Sequence, residues 1–139
     1  MVLLLASTAS CEWGPSTFGC GAREPIDDAL WEVVALWPEV EPVTRRLDLF
    51  CDIDEAKLQS SSYCGRSGAT SIRACTMWLG STWRRARMYV ARGEDVVAAI
   101  NHEAQHWHLE LTNDDACRTH DDGCGWVDLT TRGRLPSQR

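Results

Sequence analysis

A chain of 139 residues, 44% of them hydrophobic, is sized for one domain with a real core and too short for a catalytic lobe plus a separate substrate-binding domain. Its formal net charge of -6 argues against a nucleic-acid partner, which calls for clustered Lys and Arg; the one basic run, Arg84-Arg85-x-Arg87, reads as a solvated strand edge. Seven cysteines beside a single lysine, Lys57, exclude an ordinary enzyme of a reducing compartment.

Residues 1–10 are apolar and then small, like the end of a secretory signal, and Cys11 stands where a bacterial lipoprotein is cleaved and lipidated. No basic residue precedes the apolar run, and Thr8 holds the place where Leu is preferred, so this is either a shortened signal or none. Export is the expectation, to the periplasm, the cell surface or the exterior, with a lipid anchor at Cys11 as the only link to a membrane. The remaining cysteines, Cys20, Cys51, Cys64, Cys75, Cys117 and Cys124, form an even set able to make three disulfides whose pairing the sequence leaves open. The absence of any CxxC pair counts against a cysteine zinc site or a thioredoxin-like redox motif.

Residues 12–25, with Gly14-Pro15, Gly19, Gly21 and Pro25, lack periodicity and read as a tether. A helix is predicted from residue 26 to about 37. Leu30, Val33, Val34 and Trp37 sit at helical spacing, Asp27 is its cap and Pro38 ends it; Trp31 and Trp37 read as packing residues. Residues 43–51 alternate imperfectly, and a strand over 46–50 is preferred to a continued helix. A polar loop follows over 52–69, with a short helical turn at 54–58 and Cys64 tying it down. Residues 70–80 and 85–91 read as successive strands. In the second, Ala86, Met88 and Val90 oppose Arg85, Arg87 and Tyr89, the period of a half-buried strand. As a sheet edge above a cleft, that strand would receive an extended peptide by strand addition.

The central stretch is Ile100-Asn101-His102-Glu103-Ala104-Gln105-His106-Trp107. Counting 100° per residue, Val97, Ile100, Ala104, Trp107 and Leu111 share one apolar stripe, and His102 and His106 fall opposite it, one turn apart. Asp95 is a natural cap, Glu94 suits the positive end of the helix dipole, and Thr112 to Asp115 supply the stop. Two imidazoles so spaced can address one ion, and Glu103 beside them can take a proton from the attacking water. His108 lies near the apolar stripe and reads as a flanking residue. A third ligand must come from outside the helix. His120 is the first candidate, with Asp115, Asp121 and Asp122 as oxygen alternatives. A Cys117–Cys124 bridge would stiffen the loop that carries them. Residues 126–130 read as a short last strand and 131–139 as a disordered tail.

His102-Glu103-Ala104-Gln105-His106 resembles the HExxH of zincin metallopeptidases. The continuation from Asp114 to His120, closed by Trp126, resembles small secreted or lipid-anchored bacterial proteins of metallopeptidase type. The resemblance covers roughly residues 85–126. It implies a small zincin-like α+β domain over residues 26–130, in which a short antiparallel or mixed sheet packs on the motif helix and one further helix, stapled by disulfides. It further implies Zn2+ held by His102, His106 and His120, with Glu103 as general base. The third-ligand spacing fits neither the metzincin pattern, whose positions hold Leu109 and Thr112, nor a glutamate on a following helix. The leading expectation is therefore a zinc peptidase acting on a peptide or protein. The alternative is a secreted metal-binding or interaction module that keeps the helix without catalysis, and a disulfide-stapled structural protein with a chance motif comes third.

Overall fold

The computed structural model describes residues 14–60, 63, 73–80 and 85–112. Strand β1 (Ser16–Phe18) leads to helix α1 (Arg23–Leu36), a 3-10 turn at Pro38–Val40 and helix α2 (Glu41–Arg45). Strand β2 (Asp48–Ile53), helix α3 (Glu55–Leu58), strands β3 (Ala74–Trp78) and β4 (Ala86–Ala91), and helix α4 (Val96–Leu111) follow. The fold is α+β, with one four-stranded mixed sheet in the order β1-β2-β4-β3. β1, β2 and β4 run parallel, and β3 runs antiparallel to β4.

Physical reasons for these elements are local where the signal is strong. In β4, Ala86, Met88 and Val90 are fully buried on the helix side and Arg87 is exposed. Tyr89, expected among the outward residues, is also buried, against Leu58 and Ala91 on the other sheet face. Asp54 caps α3 by accepting from the Ala56 N–H at 2.9 Å, which explains the predicted turn. The strand expected over 46–50 forms, but shifted to Asp48–Ile53, because Glu41–Arg45 closes a helical turn first.

The tether expected over 12–25 is corrected from residue 16 onward. Ser16, Thr17 and Phe18 pair in parallel with Asp48, Leu49 and Phe50, and a Cys20–Cys51 disulfide closes the end of that pairing. α1 begins at Arg23 rather than at residue 26, because Pro25 falls in the first turn, where no backbone N–H is needed. Asp27 is therefore no cap; it accepts from Arg23 Nε at 2.9 Å within the helix. Trp31, expected to pack, is 59% exposed. β4 does not meet the condition for strand addition, a place at the sheet edge: it is an inner strand between β2 and β3. Among the described residues the outer strands are β1 and β3.

The core lies between the sheet and the helices. Ile26, Leu30 and Val33 of α1, Val40, Val43, Leu49, Met88, Val90, and Ile100, Ala104 and Trp107 of α4 form one cluster. On the opposite sheet face an aromatic row crosses three strands: Phe18 stacks on Phe50 at 4.7 Å between ring centroids, and Phe50 on Tyr89 at 5.4 Å. Where β2 and β4 lose register between Phe50 and Ile53, Asp52 takes a left-handed φ of 60°. There its carboxylate meets Arg92 Nε at 2.8 Å. Cys75 is disulfide-bonded as well. Among the described residues no helix is long and apolar enough to cross a membrane.

Candidate metal centre

Helix α4 forms as its sequence dictates. Gly93, at φ 87°, turns the chain out of β4, and the Asp95 carboxylate accepts from the Ala98 N–H at 3.1 Å. Glu94, just before that cap, pairs with Arg73 at 3.4 Å. Ile100, Ala104 and Trp107 are wholly buried, which fixes the rotation of the helix. Val97 and Leu111, at the two ends of the stripe, are partly buried against the same core.

That rotation leaves His102 and His106 half-buried on the other side. Their ring centroids lie 5.2 Å apart with the planes at 70°. With Glu103 they form a group whose three ligand atoms all lie within 4.8 Å of one another. Two imidazoles and a carboxylate are a donor set that divalent transition metals accept, so this group could hold a metal ion.

Glu103 differs from the histidines in being almost fully buried, at 4% exposure. Position 103 falls between the histidine face and the apolar stripe, so the carboxylate reaches toward the sheet. There the Thr76 hydroxyl of β3 donates to Glu103 Oε2 at 2.8 Å. The Trp107 indole N–H donates in turn to Thr76 Oγ1, also at 2.8 Å. Burial pushes the Glu103 carboxyl up from 4.5 to about 7, and the Thr76 hydrogen bond offsets part of that rise.

His108 joins neither imidazole. Its ring stacks on Trp37 at 4.8 Å and contacts Glu39 Oε2 at 3.3 Å, which agrees with the flanking place expected for it. The expected third ligand, His120, and its alternatives Asp115, Asp121 and Asp122, lie outside the described residues, as do Cys11, the Cys117–Cys124 bridge, the strand at 126–130 and the tail.

No protein-family model, no curated protein and no solved structure matches the chain.

The residue that sequence reasoning missed is Thr76. It lies in a strand predicted only as a strand, 27 residues before its partner carboxylate, and only the packing of β3 against α4 brings the two together. Asn101 is a second surprise. It is 1% exposed, immediately before His102, and among the described residues neither Oδ1 nor Nδ2 has a hydrogen-bond partner.

Proposed function

We propose that the protein is a zinc-dependent hydrolase, most simply a peptidase, as its HExxH motif suggests. The observation that carries this reading is the convergence of His102, Glu103 and His106 within 4.8 Å on a capped helix whose opposite side is locked in the core. His102 and His106 would hold the ion, with His120, or one of Asp115, Asp121 and Asp122, as third ligand. A zinc ion held there supplies the Lewis acidity that makes water a nucleophile near neutral pH. Glu103 accepts the proton of the attacking water and passes it to the leaving amine. The substrate backbone aligns along β3, the outer strand that touches Glu103 through Thr76. The disulfides at Cys20–Cys51 and at Cys75 support export to an oxidising compartment.

One observation favours a second reading. Glu103 is buried and one of its oxygens is already engaged by Thr76, which also suits a secreted metal-binding module without turnover. Metal analysis of oxidatively refolded protein, paired with digestion of a mixed peptide library, separates the two. The peptidase reading expects bound zinc and cleavage in the wild type, bound zinc without cleavage in Glu103→Gln, and lost zinc in His120→Ala or Asp115→Ala, whichever is the ligand. Zinc without cleavage in the wild type supports the module, and cleavage retained by Glu103→Gln would overturn the mechanism.

A further inference from the structure

We propose that Thr76, itself held by Trp107, is a positioning residue that keeps Glu103 beside the imidazole pair as a proton acceptor and out of the metal's coordination sphere. The inference rests on the metal-binding reading of His102 and His106, and it assigns a role to a strand residue outside the motif.

The argument is one of hydrogen-bond inventory. An indole N–H can only donate, so Thr76 Oγ1 must accept from Trp107 at 2.8 Å. A hydroxyl has one proton, and with Trp107 approaching the lone pairs, that proton is directed at Glu103 Oε2, 2.8 Å away. The direction of the chain Trp107 to Thr76 to Glu103 is thereby set, and the carboxylate is its terminal acceptor. Both ends are anchored. Trp107 is completely buried in the main core, and Glu103 is buried one turn away on the same helix. Thr76 belongs to β3, which pairs antiparallel with β4 and sets Thr76 opposite Met88. A carboxylate held this way cannot swing freely toward an ion between His102 and His106, even though one of its oxygens lies within 4.8 Å of their nitrogens. Among the described residues the Thr76 hydroxyl is the group that holds that oxygen, so once it is removed, direct coordination becomes the oxygen's best remaining partner in a buried setting.

The test uses Co2+ as the probe on the full-length, oxidatively refolded chain, reading affinity and the visible absorption bands that report coordination. Thr76→Val keeps the shape and removes the hydroxyl; Thr76→Ser keeps the hydroxyl. Thr76→Ser is expected to match the wild type in affinity and spectrum. Thr76→Val is expected to bind Co2+ severalfold more tightly with altered bands, and adding Glu103→Gln to it should return both to the wild-type pattern. If Thr76→Val fails to fold by circular dichroism, Trp107→Phe removes the indole donor and should move the spectrum in the same direction. An unchanged spectrum and affinity in the folded variant overturns the inference alone. A loss of about 10–100-fold in affinity, the usual result of removing a hydrogen bond to a true ligand, also overturns it, because Glu103 would then be a ligand. A wild-type chain that binds no Co2+ overturns the metal reading and this inference with it.

Discussion

Thr76 and Glu103, 27 residues apart in sequence, meet at 2.8 Å and join the outer strand of the sheet to the helix that carries the paired histidines. Because this carboxylate is buried, its protonation is coupled to the stability of the whole domain.

In the metal-free protein, the Glu103 carboxyl is raised from 4.5 to about 7, so the folded chain holds the proton more tightly than the unfolded one. The stability from this group is fully present below about pH 4.5 and is lost as pH rises through about 7. The loss across that window is on the order of 3 kcal/mol, at about 1.4 kcal/mol per pH unit. Urea unfolding of metal-free protein between pH 4 and 8 should show this decline, and Glu103→Gln should flatten it. A wild-type stability that climbs across the same window would count against the burial of this group.

His108 should prove irrelevant to the metal. It stacks on Trp37 and faces Glu39, so His108→Ala is expected to leave metal affinity unchanged. The substitution should cost about 1 kcal/mol of stability through the lost ring contact. A drop in metal stoichiometry would show that the helix places His108 differently.

Asn101 is expected to be a stability defect. Its two side-chain polar atoms are buried with no partner among the described residues, and an unsatisfied buried polar group costs about 1–3 kcal/mol. Asn101→Leu should therefore raise the thermal midpoint. A lowered midpoint, with metal binding also weakened, would mean that the amide serves the site.

The Cys20–Cys51 bridge spans 31 residues. In the chain-entropy view, a loop of that length stabilises by about 3–4 kcal/mol. The double replacement Cys20→Ala and Cys51→Ala should shift the urea midpoint by a corresponding amount while Cys75 stays oxidised. An unshifted midpoint would show that the unfolded chain is already constrained there.

Legibility followed the range of the interactions. α4 could be read to the residue because its cap, its apolar stripe and its two imidazoles are all set within a few turns: Asp95 bonds Ala98, and Ile100, Ala104 and Trp107 are buried. β4 was legible for a similar reason, through its alternation, but not its place in the sheet, since no local pattern says which neighbours a strand takes. β1 was invisible. Three residues between glycines carry no periodicity, and the strand exists through pairing with β2 and the disulfide beside it. Pro25 read as a breaker because only the position of the helix start decides whether a proline interrupts a turn or opens one. At the site, the histidine pair and Glu103 were visible as spacing. Thr76 was not, because a threonine in a strand is unremarkable until a distant helix lies against it.

The short β1 strand also bears on solubility. By pairing with β2 along Asp48, Leu49 and Phe50, it covers a row of backbone donors and acceptors that flank apolar side chains. A chain shortened past Phe18 would lay that row open as a template for another molecule's strand, so amino-terminal trimming should turn a monodisperse preparation into one prone to aggregate.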